Sequence, residues 1–159
     1  CQELGLTAVF DPGQQITAFD ENELCRFITQ AQFVIGNDYE MKLLQERAGW
    51  DATTMLTHVK ALITTLGDQG SIISTASGEV ISIKPCLPRS ADDPTGAGDA
   101  YRAAFFVGYS KGFDLKTCGQ MGSVAASYAV EAYGTQTHRF TVEEFGERYF
   151  KTFHETIKL

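Results

Sequence analysis

Asp92-Asp93-Pro94-Thr95-Gly96-Ala97-Gly98-Asp99-Ala100-Tyr101 is the stretch of this 159-residue chain on which its reading turns. A proline-containing loop runs into a Gly-Ala-Gly turn, and an apolar helix is predicted from Ala97 to Gly112. Small residues at 96–98 let backbone N–H groups approach an anion closely, and a helix N-terminus adds a favourable partial charge. Asp99 falls in the first turn of that helix. Anion binding does not explain a carboxylate there, since it would repel phosphate. It fits a base that takes a proton from a hydroxyl while the amides stabilise a transferring phosphoryl group. A plain helix cap is the competing explanation: Asp at a helix start is common and contributes about 1 kcal/mol. From these residues alone both stand.

Two familiar phosphate motifs fail here. GxGxxG would need glycine where Tyr101 stands, and no strand immediately precedes the turn. GxxxxGK[ST] occurs nowhere in the chain. A dinucleotide-binding oxidoreductase domain is therefore disfavoured, and so is a P-loop.

Outward from residue 92 the chain alternates short apolar runs with helical periodicity. Strands are predicted at Thr7–Asp11, Phe33–Gly36 and Ala61–Leu66, and a hairpin at Ser71–Thr75 and Glu79–Lys84 turning through Ser77-Gly78. Helices are predicted from Asp20, whose first turn is acidic, and from Asp38 to Ala48, stopped by Gly49. Asp51 should cap another, to about Lys60. After the helix from Ala97, one starts at Asp114 or Leu115 and runs to about Tyr133, and Thr141-Val142-Glu143-Glu144 opens the last with a capping box. Cys1 to Leu6 reads as the end of a helix leading into a strand, as in part of a longer protein. Alternating strands and helices argue for an α/β fold with a mostly parallel sheet and an antiparallel edge hairpin. No repeat or internal linker is visible, so the expectation is one domain or one portion of a domain.

Composition bounds the function classes. Twenty acidic against 13 basic residues give a net charge of −7, which opposes binding along a nucleic-acid backbone but not a small phosphate held by amides. No apolar run approaches the roughly 20 residues that span a bilayer, and no signal peptide is visible. The four cysteines, Cys1, Cys25, Cys86 and Cys118, form no CxxC pair and read as free thiols of a cytoplasmic protein. His58, His138 and His154 show no metal spacing; His58 and His154 are expected on exposed helix surface. Gln14 and Gln15 follow the first strand and read as a solvated turn.

With these readings in place, Asp93-Pro94-Thr95-Gly96-Ala97-Gly98-Asp99-Ala100-Tyr101 resembles the C-terminal signature of the ribokinase/PfkB family of carbohydrate and nucleoside kinases. Other pieces follow in the family's order. Asn37-Asp38-Tyr39-Glu40 is similar to its NxxE motif. Thr65-Leu66-Gly67-Asp68-Gln69-Gly70 resembles its strand-end nucleotide loop. Gly122-Ser123-Val124-Ala125-Ala126-Ser127 and Glu131-Ala132-Tyr133-Gly134-Thr135-Gln136 resemble its closing helix and loop. The wording is most similar to the adenosine-kinase-like bacterial and archaeal branch. The match covers nearly the whole chain but only the C-terminal half of a family member.

The resemblance implies a ribokinase-like three-layer α/β/α sandwich, of which residues 1–159 are the C-terminal, nucleotide-binding part, the N-terminal half with its lid being absent. It implies ATP and Mg²⁺, with Asp99 as catalytic base and Gly96, Ala97 and Gly98 as the anion hole. Asn37 and Glu40 would organise Mg²⁺ largely through water, and Thr65, Gly67, Gly70, Gly122 and Ala126 would lie against the nucleotide. In many members K⁺ sits behind the anion hole; the matching positions are Asp93 and Thr95, with carbonyls near Ala129, Ala132 and Gly134. Arg102 either helps hold phosphate or acceptor or forms a surface salt bridge. The implied activity moves the γ-phosphate of ATP to a hydroxyl of a nucleoside. The alternatives are a sugar kinase of the same family, for ribose, fructose or a sugar phosphate, and a nucleotide-binding module without catalysis. Acceptor-choosing residues belong mostly to the missing half, so the piece alone is expected to be inactive and the intact protein to be a homodimer through the lid.

Overall fold

Five of the six α-helices among the described residues start on a side chain that accepts from their first turn. Asp20 caps α1 (Glu21–Gln30), Asn37 caps α2 (Asp38–Ala48), Asp51 caps α3 (Ala52–Leu56), Asp114 caps α5 (Leu115–Val130) and Thr141 caps α6 (Val142–Phe153). In α1, α2 and α6 the glutamate three residues after the cap also accepts the cap's own amide, completing a capping box. Helix α4 (Ala97–Ser110) is the exception: it starts on Gly96, which has no side chain to offer. The computed structural model describes residues 1–159, the side chain of Gln2 excepted.

Strands β1 (Val9–Phe10), β2 (Phe33–Asn37), β3 (Ala61–Thr65), β4 (Ser71–Thr75) and β5 (Val80–Ile83) form one sheet in the order β1-β2-β3-β4-β5. The first three are parallel, with Val34 beside Leu62 and Asn37 beside Thr65. The Ala76 amide, just past β4, donates to the Lys60 carbonyl, just before β3, at 3.0 Å, so β4 runs against β3. The chain then turns into β5, with the Thr75 amide donating to the Glu79 carbonyl at 2.9 Å. The parallel sheet and its antiparallel hairpin thus stand where the sequence places them.

The chain forms two compact units, Cys1–Gly67 with Ile72–Ile81, and Asp68–Ser71 with Ser82–Leu159. The first is built on Ile16, Leu24, Ile28, Val34, Met41, Leu44 and Leu62, all fully or nearly buried. In the second, α4 packs on α5 at unusually close range. A Cβ at Gly122 would lie 2.9 Å from the Tyr101 ring, so only glycine lets that ring lie against the α5 backbone. Tyr101 is buried, and its hydroxyl shares a 2.7 Å hydrogen bond with Ser71. Burial pushes that hydroxyl up to about 12, against the Ser71 hydrogen bond. From α6, the Tyr149 hydroxyl donates to Gln120 on α5 at 2.5 Å.

Three expectations need correction. The helix after Asp51 ends at Leu56 rather than Lys60. The Thr57 hydroxyl donates to the Thr54 carbonyl at 2.7 Å, a local bond that competes with helix continuation. Helix α5 ends at Val130 rather than Tyr133, because the Asp92 and Asp93 amides take the Val130 carbonyl. His58 and His154 are exposed but not helical: His58 sits in the turn after α3, and His154 closes α6 at φ 59°. No helix among the described residues is long and apolar enough to cross a membrane.

The α4–α5 contact makes a direct prediction. Gly122→Ala drives a methyl into the Tyr101 ring and should lower stability by about 1–3 kcal/mol, read as a shift in the urea midpoint with unchanged slope.

Candidate active site

The carboxyl ends of parallel strands are where open α/β sheets bind ligands. Asn37 closes β2 and Thr65 closes β3, side by side in register. The structure therefore brings Asn37, Glu40 and Thr65 to one edge, and Gly67 follows at once in a short 3-10 turn, Gly67–Gln69. Asn37 and Glu40 are bound to each other twice: the Glu40 amide donates to Asn37 Oδ1 and the Asn37 amide to Glu40 Oε2, both at 2.8 Å. The pair is first of all a capping box, which uses one of the two Glu40 carboxylate oxygens. Mg²⁺ takes hard oxygen ligands and keeps several waters, so a single carboxylate acting beside substrate phosphates fits it. Among the described residues no cluster of three or more His, Cys, Asp or Glu could cage a metal by itself.

The second set of residues belongs to the other unit and centres on the start of α4. Gly96 stands at φ +84°, in the left-handed region, and a Cβ there would lie 2.9 Å from the Thr135 carbonyl oxygen. Both facts require glycine. The turn it makes lets the Ala97 amide donate to the Pro94 carbonyl at 3.2 Å and the Ala100 amide to the Gly96 carbonyl at 2.9 Å. No acceptor among the described residues takes the amides of Gly98 and Asp99. Gly98 has no steric reason to be glycine, since a Cβ there would meet only the tip of the Arg102 side chain, at 3.5 Å.

Asp99 is the third residue of α4, not its cap, so the capping explanation falls. Its carboxylate is 74% exposed and accepts from Arg102 Nη2 at 2.7 Å, so Arg102 does form the salt bridge named as one of its two roles. In solvent such a pair contributes little to stability, and its effect is to hold the carboxylate at the mouth of the turn.

Behind the turn, Asp93 joins two segments. Its Oδ1 accepts from the Thr95 amide at 2.9 Å and its Oδ2 from the Gly134 amide at 3.0 Å. The Thr95 side chain and amide, with the Gly134 amide, hold its carboxyl below the usual carboxylate range. An ionised carboxylate keeps acceptor sites beyond these two hydrogen bonds, so Asp93 and nearby carbonyls are hard donors that could hold a monovalent cation. The Ala129 carbonyl already accepts from the Ala132 amide at 3.2 Å.

The remaining nucleotide candidates are placed differently. Gly70 lies against the Ile83 carbonyl and Pro85. Gly122 is buried under Tyr101, a packing duty that accounts for the residue without a ligand, and Ala126 is half-buried on α5. Gln14 and Gln15 are exposed. Sequence reading missed Ser123. Its Oγ accepts from the Cys86 amide at 2.7 Å and donates to the Lys84 carbonyl at 3.3 Å, pinning the loop that leads toward residue 92. The available signal was a serine on the buried face of an otherwise apolar helix.

The Asp93 bonds carry a pH signature. A carboxyl whose folded value is depressed stabilises fully above its unfolded value of about 4, and that contribution disappears as pH falls through the lower folded value. The stability gap between wild type and Asp93→Asn, from urea unfolding, should be widest above about pH 5 and narrow on acidification below about 4. A gap independent of pH would contradict the assignment.

Comparison with known proteins identifies the family and the fold. The sequence profile described as pfkB family carbohydrate kinase matches residues 5–141. The nucleoside kinase of Methanocaldococcus jannaschii is 38% identical over 140 residues, covering 87% of this chain and 46% of that protein. The nucleoside kinase of Methanothermobacter thermautotrophicus is 39% identical over 138 residues, covering 86% and 44%. The structure of Burkholderia thailandensis nucleoside kinase in complex with inosine superposes with a TM-score of 0.94 at 33% identity, over 97% of this chain and 50% of that one. The chain thus spans about half the length of the relatives it matches. From the profile match and the shared fold, this chain belongs to the pfkB family of carbohydrate kinases and has the α/β fold of the ribokinase-family structures.

Proposed function

We propose that this chain supplies the nucleotide side and the base of a kinase that moves the γ-phosphoryl group of ATP to a hydroxyl of a nucleoside. The observation that carries the reading is the start of α4. Every other α-helix described here gives its third amide to a capping side chain; α4 has none, and its Gly98 and Asp99 amides lie without acceptors among the described residues, beside a carboxylate. Unpaired N–H groups at a helix N-terminus favour an anion, and a developing phosphoryl charge is the anion that also needs a neighbouring base.

In this reading the amides of Gly98 and Asp99 take the charge spread over the transferring phosphoryl oxygens. Gly98 is glycine to keep that approach open, since its neighbours would tolerate a methyl. Asp99 accepts the proton of the incoming hydroxyl, and Arg102 orients the carboxylate and offsets its repulsion of phosphate. Asn37 and Glu40 would hold Mg²⁺ through water, which when bound neutralises phosphate charge. Asp93, Thr95 and the carbonyls near Ala132 and Gly134 would hold K⁺ behind the turn. Thr65 and Gly67 would border the nucleotide.

A nucleoside acceptor is favoured over a sugar because the archaeal relatives at 38% and 39% identity are nucleoside kinases. The Burkholderia enzyme is also known in complex with ADP-inosine, at 34% identity. Acceptor choice belongs to the part of the intact protein that this chain does not span.

In the intact protein, Asp99→Asn should retain nucleotide binding, measured by titration calorimetry, and lose turnover by about 10²-fold or more. Turnover near the wild-type rate would refute the base. Gly98→Ala should leave stability unchanged or raise it by up to about 1 kcal/mol while turnover drops; full activity would show that the phosphoryl approach does not need glycine at position 98. A phosphate-transfer screen over nucleosides and sugars, with K⁺ and with Na⁺, decides between nucleoside and sugar kinase.

A further inference from the structure

We infer that Arg148 and Glu131 are positioning residues for the loop that carries the α4 turn, acting through segment 130–135. Arg148 projects from α6 and Glu131 stands just past the end of α5. Arg148 Nη1 and Nη2 donate to Glu131 Oε1 and Oε2 at 2.8 and 3.0 Å, a two-pronged ion pair whose side chains are 9% and 16% exposed. The same guanidinium donates to Ser127 Oγ at 2.9 Å and lies 3.5 Å over the Tyr128 ring. Arg148 is thereby fixed on three sides.

Glu131 passes that fixation on. Its Oε1 also accepts the backbone amide of Arg89 at 2.6 Å, where the loop leading to α4 begins. Burial pushes its carboxyl up, but the Arg148 hydrogen bonds, the Arg89 amide and both guanidinium charges outweigh it and hold the group ionised. Further along the loop, the Asp92 and Asp93 amides donate to the Val130 carbonyl at 3.0 and 3.2 Å. Asp93 Oδ2 takes the Gly134 amide at 3.0 Å, and Gly96 abuts Thr135. Every one of these anchors of residues 89–96 falls on residues 130–135. Shifting Glu131 therefore shifts the platform on which the turn is folded.

A buried ion pair is a costly way to join two helices, since apolar side chains of similar volume stabilise as well or better. What it supplies is a defined orientation, because a planar guanidinium accepts a carboxylate in one geometry. Arg148 touches neither Asp99 nor the amides of the turn, so its effect on the reaction is indirect.

The catalytic part of this inference rests on the kinase reading; the ordering of the loop does not. The test uses the intact protein with Arg148→Met, Arg148→Lys and Glu131→Gln, and Asp99→Asn as a separate control. Amide hydrogen exchange is followed together with steady-state kinetics. Arg148→Met should speed exchange at Asp92, Asp93 and Gly134 by about tenfold or more while the amides of α1 and α2 are unchanged. Turnover should fall by about tenfold with the acceptor KM within about twofold. Arg148→Lys keeps the charge without the fork and should recover part of both effects. If Arg148→Met does not fold, Glu131→Gln, which keeps an acceptor for the Arg89 amide, decides by the same criterion. Unchanged exchange in the loop, or a uniform rise throughout the chain, overturns the inference. Wild-type turnover in Asp99→Asn would instead remove Asp99 as the base, and no phosphate transfer by the wild-type protein to any nucleoside or sugar would remove the kinase reading, while the exchange pattern still judges the loop.

Discussion

Gly96 holds a backbone conformation that an L side chain resists, with the Thr135 backbone where its Cβ would stand. This local constraint is what lets α4 start without a cap. A helix that begins on Ser, Asp or Asn hands its first N–H groups to its own side chain; one that begins on a left-handed glycine leaves them for something else. The cost of uncapped amides is tolerated in the same turn where glycine also stands without steric need at position 98. Both departures from good helix design fall within three residues, and Asp99 is the next residue. Departures from local rules tend to concentrate at functional sites.

The Asn37–Glu40 pair shows the opposite economy. It obeys the capping rule fully, and the same two residues stand where β2 ends beside Thr65. A structural duty and a place on the sheet's carboxyl edge coincide because the N-terminus of a helix after a parallel strand both needs a cap and lies on the edge where open α/β sheets bind ligands.

Much of the architecture was legible residue by residue. Helix α2 was bounded from Asp38 to Ala48 with Gly49 as its stop, and α6 by the Thr141–Glu144 box, because those signals act over three or four residues. The hairpin was legible for the same reason. The ends of α3 and α5 were misread. Thr57 diverts a helix carbonyl, and the Val130 carbonyl is claimed by amides 37 and 38 residues earlier in the chain, a contact no local pattern announces. At the site, the Gly-Ala-Gly-Asp turn and its neighbours stood out as motif. Ser123 and Glu131 lay inside quoted motif stretches without being singled out, and Arg148 gave no signal, since a polar residue looks the same in sequence whether it faces solvent or a loop.

By itself the sequence determined the kind of layers, the helix starts, and that a Gly-Ala-Gly turn lies beside a carboxylate, because caps, periodicity and small-residue turns are properties of short segments. Tertiary structure alone decided that Asp99 is not a cap, that Gly122 is a packing glycine, and that residues 89–96 are folded on residues 130–135. Those outcomes depend on which backbone groups meet across long separations in the chain, and the meeting is set by packing of whole helices rather than by any residue's own preference.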